Sequence, residues 1–289
     1  MRLLGIGDNV VDRYADLGTM FPGGNAVNVA VHARRAGAEA AYWGATGDDR
    51  AGRAVRDALR SEGVDTSRVR TVPGPNAWAE VGLVAGDRVF KGSDDGVSVF
   101  TLTAADLDVL ASYDVVHTAY SGSLAGQVAE MGARARVSFD FSHHWDEPWA
   151  EDLPRHLFLA AYSTSRLDEA AAESLLRDAT GSGATWALAT RGASGSLLSD
   201  GVTTWRQPAV PVRAVDTLGA GDALVGTLLT TLAAGGDPGA GLAAGARAAA
   251  AACGAHGGFG HGVPMSGPDP DPDPEHPRTT SDHDQVGTA

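Results

Sequence analysis

One cysteine, Cys253, stands among 289 residues, so no intramolecular disulfide can form and a reducing compartment is the fitting one. No uninterrupted apolar stretch approaches the ~20 residues that a membrane-spanning helix needs. The opening run Met1-Arg-Leu-Leu-Gly-Ile-Gly-Asp8 has too short an apolar segment for a signal peptide and reads as a buried strand. A cytoplasmic protein is the expectation. Positive charge is scarce too: 22 Lys and Arg face 36 Asp and Glu, a net charge of −14. Nucleic acid and anionic membrane recruit Lys and Arg, so neither is expected as the main partner. Several motifs are absent. Without a Gly-x-x-x-x-Gly-Lys-Ser/Thr run there is no P-loop. There is no Cys/His metal constellation and no Gly-x-Ser-x-Gly elbow. Gly5-x-Gly7 lacks a third glycine, and Asp8 beside it would repel a pyrophosphate, which argues against a dinucleotide fold.

What is present is a 43% hydrophobic chain, long enough for one large α/β domain or two small ones. Strand-like and helix-like segments alternate. Strands are expected at Leu3–Gly7, Ala38–Trp43, Val115–His117, Val137–Asp140 and Trp186–Thr190. Helices are expected at Asn25–Ala36, Arg50–Glu62, Ala104–Ala111, Leu167–Ala179, Asp222–Ala234 and Gly239–Cys253. Gly37 and Gly63 act as stops for the first two. Such alternation predicts a mostly parallel sheet with helices on both faces. Asn76–Val84 and Arg88–Gly92, joined at Ala85-Gly86-Asp87, break the rhythm as a hairpin standing off the main body. A second hairpin is expected over Ser196–Arg206, turning at Asp200-Gly201. From about residue 264 the composition collapses to Pro, Asp, His, Ser, Thr and Gly. From Pro268 onward six acids face one base, and the segment offers little to bury, so a disordered tail over 264–289 is expected.

Three runs carry chemistry. In Asp216-Thr-Leu-Gly-Ala-Gly-Asp222 two glycines turn the chain just before an apolar helix, leaving the amides of Gly219, Ala220 and Gly221 at a positive helix end. An aspartate there would repel a merely bound phosphate. It suits a base that takes the proton of an attacking hydroxyl while the amides hold charge on a transferred phosphoryl group. A plain Asp helix cap after a glycine turn is the alternative. Gly23-Gly24-Asn25-Ala-Val-Asn28 places two asparagines three apart on a helix start, where their amides suit sugar hydroxyls or simply cap the helix. With Asp8 and Asp12, placed at the end of the first strand, the ligand reading gains, because strand ends line the crevice in open α/β sheets. Thr190-Arg-Gly192-Ala-Ser-Gly195 reads as a nucleotide-contacting turn or as a loop into the second hairpin.

In this order the runs resemble the PfkB/ribokinase family of carbohydrate kinases. Gly23-Gly24-Asn25-x-x-Asn28 is similar to its N-terminal signature and Asp216-Thr217-x-Gly219-Ala220-Gly221-Asp222 to its C-terminal one. Trp43–Gly52 and Gly63-Val64-Asp65-Thr66 also resemble family stretches. The resemblance covers roughly Met1 to Gly262. It implies one kinase domain over 1–263, a three-layer α/β/α ribokinase-like core with a mostly parallel sheet and a small β-sheet lid near 13–19 and 76–92. ATP with Mg²⁺ would phosphorylate a hydroxymethyl group, with Asp222 as base and Gly219, Ala220 and Gly221 as the anion hole. Asp12, Gly24 and Asn28 would contact the sugar. Thr190, Gly192 and Gly195 would lie by the phosphates and ribose, and Ala248 and Cys253 near the adenine. The resemblance leaves room for a monovalent cation and for a homodimer through the lid.

The chain departs from the family where an Asn-x-x-Glu run orients Mg²⁺. Tyr162-Ser-Thr-Ser-Arg-Leu-Asp168-Glu169 has no asparagine, and Glu169 or Asp168 would have to stand in. Within the family, the chain resembles the fructosamine kinases, which act on fructoselysine. The stretches that carry this are Ile6–Asp12, Gly23–Val31, Asp87–Phe90, Tyr113–His117, Phe139–Ser142, Trp145-Asp146 and His256-Gly257. Asp8, with Asp94 and Asp95, would then meet the substrate's ammonium groups. The competing readings are a kinase for another small substrate (a ketohexose, 2-keto-3-deoxygluconate, ribose or a nucleoside) and a catalytically silent sugar-binding protein.

Overall fold

The computed structural model describes residues 1–84 and 87–266. The chain opens with β1 (Arg2–Ile6), then β2 (Val10–Tyr14) and β3 (Thr19–Gly23), which lead into α1 (Asn25–Arg35). Next come β4 (Glu39–Trp43), β5 (Ala45–Gly47), α2 (Arg50–Ser61), β6 (Arg70–Val72), β7 (Trp78–Val84) and β8 (Asp87–Asp94). The middle of the chain forms α3 (Ala104–Leu110), β9 (Val115–Ala119), α4 (Val128–Gly132), β10 (Val137–Asp140) and β11 (Leu159–Ser163). It closes with α5 (Glu169–Gly181), β12 (Trp186–Thr190), β13 (Ser196–Ser199), β14 (Thr204–Gln207), α6 (Ala220–Ala233), α7 (Pro238–Ala252) and β15 (Val263–Pro264).

Eight strands form the main sheet in the order β14-β13-β12-β11-β10-β9-β1-β4. It is parallel from β12 to β4, and β13 and β14 add an antiparallel edge. The expected three layers are present, because alternate residues of a strand face opposite sides. On β1, Leu3 packs with α1, α2, α6 and α7, while Leu4 and Ile6 pack with α3, α4 and α5. Each fully buried Leu or Ile contributes about 1.5–3 kcal/mol, so a continuous apolar run such as β1 is stable only with helices on both faces.

Local chemistry sets where the helices start. Asp49, Thr103, Asp168 and Asp237 cap α2, α3, α5 and α7 by accepting the amides of Gly52, Asp106, Ala171 and Ala240. Helices α1 and α6 begin instead on glycines, Gly24 and Gly219, which have no side chain to cap with. Those two starts meet at the carboxyl ends of the central strands.

A second sheet, ordered β15-β3-β2-β7-β8, stands off the core and corrects three expectations. Asp12 lies on β2 of this sheet rather than at the end of the first core strand, since the chain leaves the core after Ile6. The small sheet is larger than the segments 13–19 and 76–92, because β2 and β3 pair along their whole length. Val263 and Pro264 pair with Met20 and Thr19, so the ordered chain continues past the boundary expected at residue 264. The tip of the first hairpin, Ala85-Gly86, and the tail from Gly267 lie outside the described residues. Among the described residues no helix is long and apolar enough to cross a membrane.

Candidate active site

Asp222 sits in the first turn of α6 and Asn25 and Asn28 in the first turns of α1, and the two helices pack against each other. Asn25 donates its Nδ2 to Asp222 Oδ1 at 2.8 Å, and Asn28 donates its Nδ2 to Asp222 Oδ2 at 2.6 Å. Both carboxylate oxygens are therefore held, one by each asparagine. Burial pushes the Asp222 carboxyl well above the usual carboxylate range, and the nearby Asp140, Asp8 and Asp12 charges push the same way. A carboxyl so placed is a stronger proton acceptor than an exposed aspartate.

Behind this pair runs a hydrogen-bonded chain that the sequence reading did not single out for the site. Asn25 Nδ2 also donates to Asp140 Oδ2 at 2.9 Å. Its Oδ1 lies 2.6 Å from His117 Nε2. An amide oxygen can only accept, so His117 carries its proton on Nε2 and accepts at Nδ1 from the Ser138 hydroxyl, 3.0 Å away. Complete burial pulls the imidazole pKa down to about 3, so the ring stays neutral and fixes which way the Asn25 amide points. His117 and Ser138 are adjacent in register on β9 and β10, and Asp140 ends β10. The available signal was position, and only for Asp140: a polar residue at the carboxyl end of a parallel strand.

Asp8 is a positioning residue. Its Oδ2 accepts from the Asn25 amide at 2.9 Å and from Ser121 Oγ at 2.9 Å, and its Oδ1 accepts from the Ala26 amide at 3.1 Å. It thus caps α1 from across the chain, replacing the cap that Gly24 lacks. Holding the start of α1 is a role that the sequence expectation for Asp8 did not include. Gly24 has φ 105°, and a Cβ there would sit 2.7 Å from Asn9 Cα, so its role is steric accommodation of the turn. Asp12 is buried close to Gly23, where an added Cβ would lie 2.5 Å from its Oδ2. Asn28 Oδ1 is buried without a hydrogen-bond partner among the described residues, an acceptor suited to a ligand hydroxyl.

The loop before α6 is held at Asp216. Its carboxylate accepts from the Tyr14 hydroxyl on β2, from the Leu218 amide at 3.0 Å and from the Gly257 amide at 3.1 Å. Gly219 then turns with φ 75°, and a Cβ there would lie 2.6 Å from Gly258. Ala220 donates its amide to the Thr217 carbonyl over 3.3 Å, so Gly219 and Gly221 are the better placed of the three expected amides for an anion. The start of α6 meets no side-chain cap, which fits a site for phosphoryl oxygens.

The residues expected around a nucleotide lie on separate elements. Thr190 ends β12, Gly192 turns with φ 57°, and Gly195 admits the hairpin, since a Cβ there would lie 2.2 Å from the Gln207 carbonyl oxygen. Ala248 lines a cavity of about 380 Å³ between α1, α6, α7 and the segment after α7, and none of Thr190, Gly192, Gly195 or Cys253 lines it. Cys253 caps α7 and is buried, and its carbonyl accepts from the Val215 amide at 2.8 Å.

Glu169 does not fit a metal. It is bonded to Arg191 at 2.8 Å and to Arg206 at 3.3 Å, and these guanidinium bonds hold its carboxyl below the usual range. Asp168 is spent on the α5 cap. Among the described residues no three His, Cys, Asp or Glu side chains come together as a metal site. Glu169 and Asp168 thus already have partners, and Mg²⁺ in phosphoryl-transfer sites is held largely by waters and phosphate oxygens with one or two carboxylates.

The open sheet with its second small sheet matches the ribokinase fold. Ribokinase from Thermotoga maritima superposes with a TM-score of 0.75 over 92% of this chain and 96% of that one, at 17% identity. The Arabidopsis thaliana ribokinase complexed with ribose and ATP superposes with a TM-score of 0.75 over 87% of this chain, at 20% identity. The pfkB family carbohydrate kinase model matches residues 6–138 and 155–261, and the chain belongs to that family. Fructosamine kinase FrlD of Bacillus subtilis (strain 168) is 37% identical over 235 residues, 80% of this chain and 83% of that protein. Fructoselysine 6-kinase of Escherichia coli (strain K12) is 38% identical over 232 residues, 80% of this chain and 88% of that protein.

Proposed function

We propose that this carbohydrate kinase transfers the γ-phosphoryl group of ATP to the 6-hydroxymethyl group of a fructosamine such as fructoselysine. The observation that carries the reading is the Asp222 carboxylate, half-buried at an uncapped helix start and held by Asn25 and Asn28. Asp222 accepts the hydroxyl proton as the oxygen attacks the γ-phosphorus, and ADP leaves with the bridging oxygen. The amides of Gly219 and Gly221 stabilise the charge on the transferred group. Asn28 Oδ1 and Asp12 offer acceptors to sugar hydroxyls. The fructosamine reading draws support from 37% and 38% identity to FrlD and fructoselysine 6-kinase over four-fifths of the chain. A silent sugar-binding protein would have no use for a half-buried carboxylate at an anion site.

The position of the phosphate tests the reading. In proton-coupled ³¹P NMR a phosphate on a hydroxymethyl group is split by two methylene protons into a triplet. A doublet, from a ring carbon bearing one proton, would overturn it.

A further inference from the structure

Proton transfer uses the floor of the cleft and leaves its rim unexplained. Tyr120 follows β9 directly, and its amide bonds the Asp140 carbonyl at 2.9 Å. The side chain is 37% exposed, and burial together with the Asp140, Asp8 and Asp222 charges raises its phenol pKa. Tyr120 therefore borders the carboxylate cluster and remains partly open to solvent. His144 packs on that ring with centroids 4.6 Å apart, and His143 packs on His144 at 4.1 Å. Glu147 Oε1 takes His144 Nδ1 at 2.5 Å, which fixes the ring and leaves Nε2 as its remaining nitrogen. Arg166 and His144 are close enough to His143 to lower its pKa further after burial has done so. The same loop encloses a hollow of about 370 Å³ lined by Trp145, Asp146, Glu147, Pro148 and Glu151. The Trp145 indole N–H is shielded from solvent and meets no acceptor among the described residues.

Outward from Asp222 the surface thus runs from carboxylates through the Tyr120 ring to the His144 and His143 imidazoles. A sugar carrying an amino acid through its nitrogen has the matching order: hydroxymethyl, secondary ammonium, then a carboxylate several bonds away. We propose that the loop 142–151 is the amino-acid subsite of this kinase, where His143 and His144 bind the α-carboxylate of a glycated amino acid. The secondary ammonium lies against Tyr120 beside the Asp140 carboxylate, a cation on an aromatic face. The α-ammonium falls to the acids of the hollow, Asp146 and Glu151. This inference rests on the fructosamine reading and narrows it to glycated amino acids over glycated plain amines.

The test compares Nε-fructosyl-lysine with its decarboxylated analogue, N-fructosyl-1,5-diaminopentane, which keeps both nitrogens. A charge-assisted hydrogen bond changes affinity by roughly one to two decades, so wild-type kcat/KM should favour the lysine compound by at least about tenfold. The preference should sit in KM, because the carboxylate is bound alike before and during transfer. In the double variant His143→Asn, His144→Gln it should shrink to about twofold or less. Equal wild-type kcat/KM for the two compounds overturns the subsite without any variant and leaves the fructosamine reading standing. A preference that survives in the folded double variant also overturns it. Failure to phosphorylate either compound, with turnover of free sugars intact, removes the fructosamine reading and the subsite together.

Discussion

Asp222→Asn separates the two things the half-buried carboxylate does. The amide keeps the size of the side chain and loses the proton acceptor, and removing a general base costs about 10²–10⁴-fold in kcat. Geometry adds to the loss. Both Asp222 oxygens now accept, from Asn25 at 2.8 Å and from Asn28 at 2.6 Å, so one of these donors would face a new N–H. A buried donor left without its acceptor costs about 1–3 kcal/mol and would turn one asparagine away from the sugar. Stability should move with pH in the opposite sense. The folded carboxyl titrates well above 3.8, the ordinary value, because burial opposes its charge. Between these two values the folded state holds a proton that the unfolded chain has released, so wild-type stability falls as pH rises through that window. The variant has no such group. Its melting temperature relative to wild type should therefore climb from pH 4 to pH 8, while its rate of ADP release stays depressed throughout. A variant that keeps more than about a tenth of wild-type kcat would remove Asp222 from the base role. A pH-independent difference in melting temperature would refute the burial argument.

Three further outcomes follow from the packing. Asp8→Asn should lower kcat/KM by the same factor for fructoselysine and fructose, because Asp8 holds the start of α1; a selective loss on fructoselysine would make it a substrate contact. Gly226→Ala places a Cβ 2.6 Å from the Val29 carbonyl oxygen, forcing α6 from α1. Denaturant unfolding should show a loss of about 1–3 kcal/mol, with activity falling as Asp222 leaves its asparagines, and an unchanged midpoint would contradict the close contact. Truncation after Ser266 should leave the melting temperature unchanged, whereas truncation after Gly262 removes β15 and the Met265 amide bond to Gly18. The second cut should lower the melting temperature by about 2–4 °C per kcal/mol lost, and equal melting curves for the two would show β15 to be dispensable.

The core was legible where local pattern and tertiary demand agree. Val137–Asp140 and Trp186–Thr190 form as read, the six helices expected lie within two residues of their limits, and the short α4 went unread. β11 went unread because Leu-Ala-Ala-Tyr-Ser has little intrinsic strand preference. It is a strand because β10 and β12 pair on either side of it. β2 and β3 escaped in the same way: Asp12, Arg13, Pro22 and Gly23 look like loop residues, and only nonlocal pairing makes them a sheet. The site divides along the same line. Asp222, Asn25 and Asn28 announce themselves through glycine turns at helix starts. Asp140 has no local signal beyond a strand end and His117, in the middle of β9, has none, so sheet order alone brings them to Asn25. Asp8 and Glu169 carry duties that no sequence shows, because a carboxylate in a promising place can be occupied with a helix start or an arginine.

ATP turnover tests the central claim most directly. ADP release is followed with fructoselysine, fructose and ribose as acceptors under one set of conditions. The account predicts kcat/KM for fructoselysine above that for fructose by at least about tenfold, the value of one charge-assisted contact that the free sugar cannot make. Equal or higher kcat/KM on fructose or ribose would contradict the fructosamine assignment.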